Sequence, residues 1–474
     1  MKRLGRLEVV AFVTGFALMA YELAAARLLA PWIGSSMYVW TSVIGVIVAA
    51  LSLGYWVGGK LADARHHASD VAWMTLAAAL GVVLTRMFGQ GVMEFVVTNF
   101  DDPRSQGLFA AILLFAPASF VLGAISPYLA KLNIRSLTTA GRSVASLGAL
   151  NSVGGIMGTF VTGFYLFGHV GAAETLVLVV MMLVVVSWLL VPREYTQWRV
   201  VASVVLALLV LAPMPSRAEV VDIDTPSAHY QVVDGVHEGR LIRGLTTGPS
   251  GIQSAVYVDG SSDLPFWYTR EMARLTIEQS PKQVLMLGGG AFTLPQHLAE
   301  RLPDTQIDVV EIDPELGQIS AEYFNYQYPG NVQLIFSDAR SYLNKADKVY
   351  DVVLVDVYGD AEIPFTLMTE QFGRALERVT APDGLVAVNM IAGLGGGPCQ
   401  RLFAAFDVMY RQGLPYASYS TESGHDLIRG NHIVAYTRTA KDLAGMKQLE
   451  PLRGTLYTDN FAPAERLYFA CQQT

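Results

Sequence analysis

Cysteine is nearly absent: Cys399 and Cys471 are the only two in 474 residues, and they make neither a CxxC pair nor a cluster with neighbouring histidines. Nothing in that pattern supports a disulfide framework or a zinc site, so both are expected to be ordinary buried thiols. Charge is scarce as well. Only 16% of residues are charged, 41 acidic residues outnumber 33 basic ones, and no long Lys/Arg block occurs. The basic footprint of a nucleic-acid binder is therefore missing, and no nucleic-acid partner is expected. What the chain has in excess is apolar surface. With 52% hydrophobic residues and a mean hydropathy of +0.37, it is too apolar and too long for one soluble core, and two or more domains are expected.

The apolar residues are concentrated in residues 1–214, in stretches at roughly 8–30, 37–58, 71–88, 107–130, 145–168, 172–192 and 200–213. Most approach or exceed the about 20 residues that carry a helix across about 30 Å of hydrocarbon. The expectation is a polytopic membrane domain of about seven helices. The last stretch is short, and "GQGVMEFVVTNF" after the third is ambiguous. Glu22 and Arg27 interrupt the first run, which excludes a cleavable signal peptide. Charges within a span pair, reach for the interface or face a cavity. The glycines of "GALNSVGGIMGTFVTGFYL" (148–166) allow close helix packing.

From residue 215 the texture changes to short β-rich runs with polar turns. Residues 215–262, with "HYQVVDGV", "RLIRGLTT" and "SAVYVDG", read as a small antiparallel cap. Over 263–474, strand-like and helix-like segments alternate from "QVLMLG" to "GLVAVNMI". The expected fold is α/β, a Rossmann-like, methyltransferase-type parallel sheet with ligand at the carboxyl ends of its strands.

The turn after the first core strand, "GGGAFTLP", suits close approach of backbone to a ligand through Gly288 and Gly290. It lacks the GKS/T ending of a triphosphate loop. Nor is it a G-x-G-x-x-G dinucleotide turn, because Thr293 holds the third glycine position. Three successive strands then end on acids: Glu311, placed to accept ribose hydroxyls; Asp338, placed for an adenine amino group; and Asp356, placed over the reactive end. Carboxylates there repel a pyrophosphate and suit an adenosine carrying a sulfur substituent. Each alone also reads as a cap or turn residue. His425 and His432 read as ordinary turn and strand histidines.

"YQ" (230–231), "GIQS" (251–254), "GGG" (288–290), "VEIDPE" (310–315), "SDAR" (337–340), "YDVVLVDV" (350–357) and "PDGLVAVN" (382–389) stand in the order and spacing of one family. The chain resembles the polyamine aminopropyltransferases, the spermidine synthase-like enzymes. "YELAAARLLAPWIG", "LGYWVGGKLAD", "SPYLAKL", "GTFVTGFYLFGHVG" and "YTDNFAPAERL" are similar to segments of its membrane-bound members. The resemblance implies that Gln231, Glu311, Asp338 and Ala339 hold a thioadenosine, with Pro364 along the same pocket. It implies that Asp356 is the catalytic base and that Asp356 and Asp360 attract the acceptor amine. The implied reaction moves an aminopropyl group from decarboxylated S-adenosylmethionine, a co-substrate, to a di- or polyamine, releasing methylthioadenosine, with no tightly bound cofactor. Relatives of the soluble domain commonly dimerise, which implies a homo-oligomer.

Departures from the family pattern keep alternatives open. Ala291 replaces the acid after the glycines, Asp356 and Asp360 are spaced D-x-x-x-D rather than D-x-x-D, and Arg270 stands where it disfavours a polycationic acceptor. A methyltransferase using intact S-adenosylmethionine, or a nucleoside- or amine-binding transporter or sensor, are the alternatives. Lys2, Arg3, Arg6, Lys60, Arg65, Lys131, Arg135, Arg142, Arg193 and Arg199 fall on one side if seven spans exist. The positive-inside rule makes that side cytoplasmic and places the catalytic domain outside a cell (inner) membrane.

Overall fold

The computed structural model describes residues 5–34, 36–65, 67–100, 102–134, 138, 140–190, 196–212, 220–249, 251–358, 363–422 and 429–472. They form two compact units, one of residues 1–218 with 222–229, the other of 219–221 with 230–474.

The first unit is helical: α1 (Arg6–Ile33), α2 (Met37–Ala64), α3 (Ala68–Asn99), α4 (Pro103–Leu114), α5 (Ala116–Asn133), α6 (Ala140–Val161), a single turn α7 (Phe167–His169), α8 (Gly171–Ser187) and α9 (Thr196–Leu211). The described part of every apolar stretch is helical, with 107–130 divided between α4 and α5 and 145–168 running from α6 through a π turn into α7. The ambiguous "GQGVMEFVVTNF" belongs to α3, which runs unbroken to Asn99. Among the described residues, five helical segments are long and apolar enough to cross a membrane, counting Ala140–His169 and Gly171–Leu190 as one each, or six if α4 and α5, bent by 55° at their junction, count as one. At 16 residues, α9 is about 24 Å long, short of the about 30 Å of a hydrocarbon core. The glycine-rich stretch does pack closely. A Cβ at Gly154 would lie 2.0 Å from the Phe12 carbonyl oxygen, and one at Gly15 2.0 Å from that of Asn151, so α1 and α6 touch backbone to backbone. One end of the bundle gathers charge: Lys131 pairs with Asp63 at 2.7 Å, and the Tyr128 hydroxyl donates to the Arg65 carbonyl at 2.7 Å. Arg27 turns its guanidinium to the carbonyls of Thr225, Pro226 and Ala228 in the segment that clusters with the helices.

After the helices comes a four-stranded sheet, β1 (Val220–Asp224), β2 (His229–His237), β3 (Arg240–Thr246) and β4 (Ser254–Tyr257), in the order β1-β2-β3-β4, most of it in the second unit. Pairing is antiparallel between β2 and β3 and between β3 and β4. Then follow α10 (Trp267–Gln279), β5 (Gln283–Leu287), α11 (Thr293–Arg301), β6 (Gln306–Glu311), α12 (Leu316–Tyr323), β7 (Val332–Phe336), α13 (Ala339–Lys345), β8 (Tyr350–Val355), α14 (Glu370–Val379), β9 (Thr380–Ala392), α15 (Gly397–Tyr410), β10 (Tyr416–Thr421), β11 (Gly430–Thr437), β12 (Lys447–Gln448) and α16 (Ala464–Gln472). The strands form one eight-stranded sheet, β12-β10-β11-β9-β8-β5-β6-β7. Five of them, β5 to β9, are parallel, and the central β5 and β8 are almost wholly buried, as strands covered by helices on both faces must be.

Two expectations are corrected here. The sheet is mixed: β11 runs antiparallel to both β9 and β10, because no crossover helix connects β10 to β11 among the described residues, and parallel neighbours need one. The cysteines are not separate thiols either. Cys399 on α15 and Cys471 on α16 form a disulfide, with Cα atoms 4.5 Å apart, and neither is free. Their spacing of 72 residues hid the pair, because only the packing of α16 on α15 brings them together.

Candidate active site

The parallel register gathers the strand-end residues. Leu287 lies opposite Val310 and Val355, Glu311 opposite Phe336, and Val355 opposite Val388. Gly288, Glu311, Asp356 and Asn389, each the next residue along, and Asp338, two beyond Phe336, therefore share one end of the sheet, where ligands bind in open α/β folds.

The turn after β5 is shaped by positive φ at Gly288 (86°), Gly290 (51°) and Phe292 (53°). A Cβ at Gly288 would meet the Asp356 carbonyl oxygen at 2.1 Å, so only glycine fits. Phe292 is not a glycine, and its left-handed backbone costs on the order of 1–3 kcal/mol. Its fully buried ring packs against Tyr326 at 5.1 Å between centroids, which holds that conformation in place. Ser254 of β4 faces the same turn, its hydroxyl 3.4 Å from that of Thr293. Ala291 is buried.

Glu311 is buried and accepts three backbone N–H groups, from Gly289 at 2.8 Å, Ile312 at 2.7 Å and Asp313 at 3.1 Å. Burial raises its pKa, and those donors pull the other way. A carboxylate has about four acceptor positions. With three taken, one remains for a ligand hydroxyl rather than the pair expected from the sequence. Asp338 caps α13, accepting the Ser341 N–H at 2.8 Å, so the cap reading holds and its second oxygen stays available. Ala339 is buried beside it, and Pro364 lies exposed at the start of a short 3-10 turn. Gln231 is half-buried in the four-stranded sheet opposite Thr246. Asp360 and His425 lie outside the described residues. His432 is fully buried on β11 with its ring edge-to-face on Phe403.

Asp356 follows β8 directly. Its Oδ1 accepts the Asn389 amide at 2.9 Å, and burial pushes its pKa up to about 6, against the pull of that hydrogen bond. Two phenols feel its charge, Tyr268 on α10 and Tyr358 two residues on. Both titrate well above the usual tyrosine range, chiefly through burial. The Tyr268 hydroxyl donates to the Gln253 carbonyl at 2.8 Å. Arg270, expected to repel a polycation, is committed elsewhere: it donates to the Leu264 and Pro265 carbonyls and pairs with Glu238 at 3.2 Å. Among the described residues no group of three or more His, Cys, Asp or Glu could hold a metal ion.

Residues 266–390, which carry the glycine turn and the strand ends, match the spermine/spermidine synthase domain. A polyamine aminopropyltransferase of Vibrio vulnificus is 32% identical over 143 residues, 29% of this chain and 48% of that protein, so the chain spans about half of that relative's length. One from Mycobacterium tuberculosis is 24% identical over 397 residues, covering 78% of this chain and 74% of its own. That alignment must extend into the helical unit, because residues 230–474 make up only about half of the chain. A human eEF1A lysine and N-terminal methyltransferase is 24% identical over 145 residues, 27% of this chain and 21% of its own.

Asn389 and Tyr358 went unassigned in the sequence. The signal was there in Asn389, a lone polar residue in the apolar run "GLVAVNMI".

Proposed function

We propose that the chain is a membrane-anchored aminopropyltransferase, taking decarboxylated S-adenosylmethionine and an amine acceptor and releasing methylthioadenosine. The observation that carries this is Asp356: a carboxylate at a strand end beside the glycine turn, with one oxygen held by Asn389 and a pKa raised to about 6. Free alkylamines are mostly protonated at neutral pH. Asp356 is mostly ionised there, so it attracts the ammonium and accepts its proton. The freed nitrogen lone pair attacks the aminopropyl carbon bonded to sulfur. The carbon–nitrogen bond forms as the carbon–sulfur bond breaks, and its electron pair neutralises the sulfonium. The proton passes from Asp356 to water.

Buried Ala291 favours a second reading, methyl transfer from intact S-adenosylmethionine, because no acid at that position repels the carboxylate of that donor. The released nucleoside separates the two. The solubilised protein is given each donor with a panel of diamines, and products are identified by mass spectrometry. Methylthioadenosine is expected. Adenosylhomocysteine alone overturns the first reading, and neither product moves the assignment to a binding or transport role.

We also propose that the synthase domain lies across a cell membrane from the basic helix ends, with α9 as a seventh, short span. Two independent observations support this: the Lys/Arg bias of alternate connections, and the Cys399–Cys471 bond, a kind of bond that persists in oxidising compartments and is rare in the cytosol.

A further inference from the structure

We infer that Asn389 is the positioning residue for Asp356, setting which carboxylate oxygen receives the substrate's proton. This rests on the reading of Asp356 as the base. Asn389 is 2% exposed on β9, flanked by buried apolar neighbours. Its Nδ2 donates to Asp356 Oδ1 at 2.9 Å, and its Oδ1 is buried with no hydrogen-bond partner among the described residues. An asparagine kept for structure would satisfy both ends, and a leucine of similar volume would carry no desolvation penalty at all. The strand thus tolerates an orphaned acceptor for the sake of one hydrogen bond, and that bond goes to the base. The orientation of the amide follows from the same contact: reversed, it would set oxygen against oxygen.

The backbone around Asn389 is fixed by the residue two beyond the base. Where β8 ends at Val355, the inward groups of β9 lose their ladder partners. The Tyr358 hydroxyl replaces them, donating to the Asn389 carbonyl at 2.9 Å and accepting the Ile391 N–H at 2.8 Å. On its other side β9 is held by β11, Asn389 facing Ile433. The backbone that carries the amide is therefore held on both sides, independently of Asp356. With Oδ1 held, Oδ2, which accepts no hydrogen bond from the described residues, is the oxygen left to meet an amine. Among the described residues, the titratable groups around Asp356 are Tyr268 from α10 and Tyr358, with Arg429, just before β11, acting on Tyr358. Both tyrosines stay neutral through the range in which Asp356 titrates, so Asn389 is the neighbour that tunes it.

The test titrates Asp356 directly by infrared difference spectroscopy of its carboxyl band, with Asp356→Asn identifying the band, and compares wild type with Asn389→Leu and Asn389→Asp. In the leucine variant the midpoint is expected to rise by about one pH unit, a tenfold change in proton affinity. In the aspartate variant, where a second carboxylate replaces the donor, it should rise further. Turnover in the leucine variant should fall on the order of tenfold or more, with the acid limb of the pH–rate profile moving as the band does. Methylthioadenosine affinity should stay within a few-fold, and the melting temperature should match or exceed wild type. An unmoved Asp356 midpoint in both variants, or a melting temperature that drops while the midpoint stays, overturns the inference. Failure of the functional reading looks different: Asp356→Asn would then turn over like wild type, whatever the position of the band.

Discussion

A carboxylate that titrates near 6 has two opposite consequences, one for rate and one for stability. If Asp356 is the base, turnover falls as pH drops through about 6, because only the ionised form accepts a proton. Stability runs the other way. The folded protein binds this proton more tightly than the unfolded chain, so burying the charge costs stability above pH 6, and the cost fades as pH falls toward the ordinary value of 3.8. Asp356→Asn should therefore remove turnover, leave methylthioadenosine affinity within a few-fold, and stabilise the domain at pH 8 by about 1–3 kcal/mol, read from denaturant melts at pH 8 and pH 5. Glu311→Gln should do the reverse. It puts an N–H against the loop's own N–H donors and removes the acceptor left for the ligand, so nucleoside affinity should fall by roughly 1.5–3 kcal/mol by calorimetry. Of these residues the strand-end acids were legible in sequence, because each follows a β-rich run. The clasp around Glu311 and the pairing of Asn389 with Asp356 were not, since they depend on register between strands more than twenty residues apart.

At the scale of elements, the chain's alternation of apolar runs and turns is enough to find β2, β3 and β4 of the cap and the five parallel strands, but not the short β1. It does not show that the last strands reverse, because a strand covered on both faces reads the same in either direction. Nor does it show that α16 is tied to α15. That bond closes a long loop, and α16 is short. In the oxidised protein Cys471→Ser should cost about 2–4 kcal/mol, read as a lowered melting temperature that equals the wild-type value once both samples are reduced. A variant as stable as the oxidised wild type would mean that the packing of α16, including fully buried Tyr468, holds it without the bond.

At the scale of the whole chain, the question left by the helix count is one of parity. Six crossings keep both ends on one side; seven separate them, and the difference is α9, a helix about 24 Å long. A reporter fused after residue 212 should be active only outside the cytoplasm, and a cytoplasmic signal would reduce the spans to six. The proposed membrane setting would also account for the high hydrophobic count in the sequence: exposed Trp56, Phe160, Phe164 and Leu208 are liabilities in water and ordinary against lipid. The disulfide has a further use here. With both cysteines of the chain joined to each other, the oxidised protein carries no thiol, so it is already a blank background for labelling. A single cysteine introduced at Val236, 68% exposed near the end of β2, would be the molecule's one reactive sulfur, and a membrane-impermeant maleimide on intact cells would report which side of the bilayer the cap occupies.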